Sequence, residues 1–114
     1  MTAPATAPAP SRSGMLPRMP AYVIAYAGNV RDAEVLAEYR RRNTDAVAAH
    51  GGRFLARGGE VDVLEGPWPH ERCVLMEFPD VAAARAWYDS DEYAPLKAMR
   101  QAASDTQIIL AHGV

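Results

Sequence analysis

A small set of side chains in this sequence has the type and setting for chemistry on a small molecule. Arg53 presents a planar fork of donors that suits a ligand carboxylate or carbonyl. Glu65 becomes a general base if burial raises its pKa. The simpler reading pairs the two with each other, or has Glu65 cap the glycine–proline loop that follows it. Arg72 and Glu77 share one segment but face opposite ways by parity. A carboxylate among Val74, Leu75, Met76 and Phe78 must be paired, protonated or at an edge. If its partner is Arg53 or Arg100, Glu77 belongs to a structural ion pair, and the sequence favours that over catalysis. Tyr39 and Asn43 lie one helical turn apart and are the polar pair best placed to line a cavity between a helix and a sheet; the alternative is hydrogen bonding inside the core. Trp68 sits in a loop and could meet a flat ligand, with Tyr39, Trp87, Tyr88 and Tyr93 as further wall, although aromatics are also ordinary core and interface residues. His70, in the same loop, is an acid/base candidate. Arg53, Arg72, Glu77, Tyr39, Asn43 and Trp68 are therefore the expected ligand-binding residues, and Glu65 and His70 the catalytic candidates.

Other chemistries find little support. His50, His70 and His112 have no spacing that makes a metal site, and no cysteine stands with them. Cys73 is the single cysteine, which excludes an internal disulfide framework and fits a buried structural thiol in a reducing, cytoplasmic setting. The pairs Gly51-Gly52 and Gly58-Gly59 match neither common phosphate-loop pattern, and Lys97 is the only lysine. The net charge is −2, and beyond residue 20 the chain carries 10 basic against 14 acidic residues. That balance argues against a nucleic-acid partner. The run Arg40-Arg41-Arg42 is interleaved with Glu34, Glu38 and Asp45 and reads as a solvated helix face. No apolar run is long enough to span a membrane.

These candidates need elements to hold them. Residues 1–20 are rich in Ala and Pro and read as a disordered leader, which leaves 21–114 as one domain. Residues 21–27 form a buried strand. Asp32 caps a helix over 33–50 whose inner stripe is Val35, Leu36, Tyr39, Asn43, Ala46, Val47 and His50, with Gly51 as its C-terminal stop. Residues 53–65 are extended, with Gly58-Gly59 as either a hairpin turn or a bulge in one long strand. A strand over 72–78 follows. Asp80 caps a second helix, Asp89-Ser90-Asp91 breaks it, and a further piece runs over 92–103 with Pro95 in its first turn. The last strand covers 106–112.

This order is βαββαβ, an α+β ferredoxin-like arrangement with both helical layers on one face of a four-stranded antiparallel sheet. Four strands favour the bulge over the hairpin at Gly58-Gly59. Three of the strands are apolar on both faces, so the face away from the helices also needs cover. A second copy of the chain, packed sheet to sheet as a homodimer, supplies it.

The stretches HGGRFLARGGEVDVLEGPW (His50 to Trp68), ERCVLMEFPD (Glu71 to Asp80) and ARAWYDSDEYAPLKAMR (Ala84 to Arg100) closely resemble the DUF1330 family of the dimeric α/β-barrel superfamily. One departure is Ser90-Asp91-Glu92-Tyr93, where the family commonly has Ser-Pro-Glu-Tyr. The resemblance implies a barrel made from two sheets, with a cavity between sheet and helices in each subunit. Many enzymes of the superfamily use no metal or organic cofactor, so none is expected here. The family has no known function. The resemblance is compatible with a small-molecule-binding protein, including a cofactor-independent isomerase or monooxygenase, and with a non-catalytic dimeric module. A cavity of roughly 300 Å3 lined by convergent polar groups would favour the first.

Overall fold

A computed structural model describes residues 19–68 and 72–114. The strands are β1 (Ala21–Gly28), β2 (Arg53–Arg57), β3 (Arg72–Phe78) and β4 (Asp105–His112). The helices are α1 (Ala33–Ala49), α2 (Val81–Tyr88) and α3 (Ala94–Ala103). All strand pairs are antiparallel, in the order β2-β3-β1-β4. The expected βαββαβ order is present, with its second helical segment in two pieces. Most of the proposed leader, residues 1–18, lies outside the described residues. Pro20 is tied to the sheet, because its carbonyl accepts the Gly113 N–H at 2.7 Å.

Local chemistry sets the helix ends. The Asp32 carboxylate accepts the Val35 N–H at 3.0 Å, and the Asp80 carboxylate accepts the Ala83 N–H at 2.8 Å; each satisfies an amide that the helix itself leaves free. At the end of α1, Gly51 N–H reaches Ala48 O and Gly52 N–H reaches Val47 O. That double closure requires a left-handed residue, and Gly51 has φ 77°. Ser90 takes over where α2 stops: its hydroxyl oxygen accepts the Tyr93 N–H at 3.1 Å. Pro95 falls in the first turn of α3, where its missing N–H costs nothing.

The register fixes two unlike sheet faces. Ala21, Val23 and Ala25 stand opposite Phe78, Met76 and Val74 on β3, and Val23 and Ala25 stand opposite Leu110 and Ile108 on β4. This face packs under the helices around Trp87, Tyr93, Val47 and Leu96. The other face carries Tyr22, Ile24, Tyr26, Cys73, Leu75 and Ile109. No helix among the described residues covers it; Ile109 is 52% exposed, and Cys73 is half-buried rather than buried.

The segment after β2 differs from expectation. The extended segment does not continue through residue 65 as a strand: β2 ends at Arg57. Gly58-Gly59 forms neither a hairpin between two strands nor a bulge. Gly58, at φ 76°, turns the chain away after its N–H bonds Cys73 O at 3.0 Å. The irregularity in the ladder lies earlier, between Phe54 and Ala56. One extra residue there, Leu55, resets parity, so Phe54 and Arg57 both face the helices. No helix among the described residues is long and apolar enough to cross a membrane.

Candidate functional site

A cavity lies between α1 and the helix-facing side of the sheet. Its floor is Ala25, Ala27, Val74, Met76 and Ile108, small or apolar side chains contributed by β1, β3 and β4. Tyr39, Arg40 and Asn43 descend from α1, Arg57 from β2, Arg72 from β3 and Arg100 from α3. Its volume is about 60 Å3, well under the ~300–1,000 Å3 of pockets for drug-sized ligands. Larger hollows of about 330 Å3 between α2 and β4 and about 470 Å3 beside the α3–β4 junction are shallower troughs at the surface. The smaller cavity is where polar groups converge.

A hydrogen-bonded chain backs it. Trp87, fully buried, donates its indole N–H to Asn43 Oδ1 at 3.1 Å. Asn43 Nδ2 makes a long contact of 3.5 Å to the Tyr39 hydroxyl. The Tyr39 and Tyr93 hydroxyls lie 2.8 Å apart, and Arg100 Nε donates to the Tyr93 hydroxyl at 3.4 Å. Burial pushes the Tyr39 phenol well above its usual range, reinforced by Tyr93 and opposed by Arg100. Tyr39 therefore stays protonated at neutral pH.

Four guanidinium groups border the cavity, and none of its lining residues is a carboxylate. Arg100 is only 5% exposed, yet among the described residues no carboxylate pairs with it. Burial opposes its charge, but the phenols of Tyr93, Tyr39 and Tyr88 more than offset this and hold its pKa above the ordinary value. Arg57 donates to Thr44 Oγ1 at 2.8 Å and to the Arg40 carbonyl, and lies 3.7 Å over the Phe54 ring. Burial, followed by the Arg72 charge, lowers the Arg40 pKa. Burial, followed by the Arg40 charge, lowers that of Arg57. The like charges are thus close enough to feel one another.

The expected site residues fall into groups. Tyr39, Asn43 and Arg72 meet at the cavity. Arg53 and Glu77 lie on the uncovered sheet face and bond each other, with Nε and Nη2 of Arg53 each 2.8 Å from Glu77 Oε1. This is the ion pair that the sequence favoured. Trp68 packs edge-on against Tyr26 at 4.8 Å between ring centroids, so it too belongs to the uncovered face. Glu65 is exposed on the segment beyond β2. His70 lies outside the described residues. Among the described residues no group of three His, Cys, Asp or Glu side chains could hold a metal ion. Sequence reasoning missed Arg57, Arg100 and Arg40 as cavity residues. Arg100 carried a usable signal, a charge on the inward stripe of α3 beside Leu96.

A four-stranded antiparallel sheet with the strand and helix order βαββαβ and helices on one face defines a ferredoxin-like α+β domain. Solved structures share it. A Rhodopseudomonas palustris protein of unknown function matches with a TM-score of 0.69 at 22% identity, covering 85% of this chain and 84% of that one. SnoaB, a cofactor-independent oxygenase from Streptomyces nogalater, matches at 0.56 and 16% identity, over 82% and 90% of the two chains. A dimeric ferredoxin-like protein of unknown function from Thermobifida fusca matches at 0.56 and 13% identity, over 90% and 98%. No curated protein matches the chain. Residues 20–114 match the model of the domain of unknown function DUF1330, and the chain belongs to that family.

Proposed function

We propose that the protein is a cytoplasmic homodimer whose two uncovered sheet faces pack together to close a barrel, and that each subunit binds a small organic molecule in the cavity beneath α1. The dimer reading rests on the apolar face of Ile24, Leu75 and Ile109, which no helix among the described residues covers; soluble monomers rarely leave such a patch in water. A dimeric relative on the same fold supports it. The binding reading is carried by one observation: polar groups from four separate elements, α1, β2, β3 and α3, converge on one enclosed space.

Cofactor-independent chemistry of the isomerase or monooxygenase type is the catalytic extension of this reading, and an oxygenase of similar fold supports it. In such chemistry the Tyr39 hydroxyl and the guanidinium cluster would stabilise negative charge developing on the substrate. A non-catalytic module is the second reading, favoured by the cavity's small volume of about 60 Å3. A thermal-shift screen of small organic molecules tests binding, since a ligand of the native state raises Tm by mass action. Ligands found this way should lose their effect in Ala27→Leu, which fills the cavity floor. Ligands that act equally on both proteins would refute the cavity as the site.

A further inference from the structure

The cavity offers donors and positive charge with no matching acceptor, and the direction of its hydrogen bonds follows from what each group can do. Arg100 Nε can only donate, so Tyr93 accepts from it. Tyr93 is fully buried and does not line the cavity, so its own proton needs an acceptor within reach. The Tyr39 oxygen, 2.8 Å away, is that acceptor. Asn43 Oδ1 is engaged by Trp87, which leaves Asn43 Nδ2 to point its N–H at the same Tyr39 oxygen. Tyr39 thus receives from both sides, and its own O–H is left over. Tyr39 is the member of the phenol pair that borders the cavity, so the network delivers one free hydroxyl donor there.

Beside that donor stand Arg100, almost fully buried, and Arg72, neither with a carboxylate partner among the described residues. The Arg72 guanidinium lies over Gly58, close enough that a Cβ there would come within 3.3 Å of Nη1. Arg40 and Arg57 add charge at the same rim. Potential acceptors are engaged: Arg57 takes the Arg40 carbonyl, and the Thr106 hydroxyl pairs with Ser104 at 3.1 Å. The phenols stabilise the Arg100 charge, Arg72 is exposed at the rim, and each guanidinium carries five N–H donors, more than these neighbours take up. The remaining wall is apolar.

We propose that the cavity is a site for a small organic carboxylate, its oxygens held by the Tyr39 hydroxyl and by Arg100 and Arg72, its short carbon body lying on Ala25, Val74 and Ile108. The guanidinium fork matches a carboxylate better than a spherical anion, and the limited space restricts the body to a few carbon atoms. This proposal rests on the small-molecule reading above and narrows its ligand class.

The test compares propanoate with propanamide and inorganic phosphate, titrated into the 15N-labelled full chain at constant ionic strength. Propanoate should shift the resonances of Tyr39, Asn43 and Arg100 saturably, while propanamide at equal concentration leaves them in place. Tyr39→Phe and, at the more exposed rim, Arg72→Gln should each weaken propanoate binding about tenfold, the scale of one hydrogen bond to a charged group. Propanamide shifting the same resonances as strongly would overturn the carboxylate assignment and leave a small-molecule cavity standing. Phosphate binding as tightly as propanoate would overturn the requirement for an organic body. If neither the acid nor the amide reaches these resonances, both the carboxylate assignment and the cavity reading fall.

Discussion

Replacing Asn43 by Leu tests whether the polar chain behind the cavity is an integral part of the fold. Asn43 is 2% exposed, and its Oδ1 is the acceptor for the fully buried Trp87 N–H at 3.1 Å. Leucine supplies no acceptor, so the indole donor is left unpaired, at a cost of about 1–3 kcal/mol. The contact from Nδ2 to Tyr39, at 3.5 Å, is long and adds little. The extra apolar volume of leucine contributes little too, because the site is already closely surrounded and crowding offsets burial. For a domain of this size the loss corresponds to a fall in Tm of roughly 5–20 °C. Urea unfolding at fixed protein concentration measures it, with Trp87→Phe as the second arm. In that background the donor is gone, so Asn43→Leu should cost at least about 1 kcal/mol less than in the wild type. An Asn43→Leu protein as stable as the wild type, or strictly additive losses in the pair, would refute the reasoning.

Gly52→Ala should destabilise by about 1–3 kcal/mol, because a Cβ there would stand 2.5 Å from Phe78 Cε2 and 2.7 Å from Val47 Cγ1; the denaturation midpoint reads the effect. The Asp105 carboxyl is held below its ordinary value near 3.8 by hydrogen bonds from Asn29 and Arg31 and by the Arg31 charge. A depressed folded pKa means its stabilisation is present above the unfolded value and fades as pH falls through the folded one. The stability difference between wild type and Asp105→Asn should therefore shrink below about pH 4, as followed by urea midpoints at successive pH values. Tyr39 has the opposite sign: its raised pKa leaves it protonated where free phenols titrate, and its stabilisation is lost only as pH rises beyond about 10. The ultraviolet phenolate signal up to about pH 11 should be the same in wild type and Tyr39→Phe.

The fold was legible because its signals are local. Asp32, Asp80, Gly51 and Pro95 mark helix ends for reasons of backbone hydrogen bonding, and the strands are short apolar runs between them. The sequence misled where a local signal was stronger than its role. Gly58-Gly59 looked like a turn or bulge within strand, whereas the ladder irregularity falls at Leu55, a residue with no special backbone requirement. That shift also carried Arg57 to the helix face, so parity from the sequence could not place it. Tyr39 and Asn43 were readable as a cavity pair from the α1 stripe. Of the arginines gathering around them, Arg72 was anticipated, but Arg40, Arg57 and Arg100 were not, because they come from three elements whose approach only the tertiary packing determines. Arg53, Glu77 and Trp68 lie on the opposite face, where they bear on the covering of the sheet.

Sedimentation or light scattering at micromolar concentration addresses the covered sheet most directly. The account predicts a single species near 25 kDa, twice the chain mass of 12.4 kDa. A clean 12.4 kDa species would mean that the face of Ile24, Leu75 and Ile109 stands in water, and would contradict the barrel.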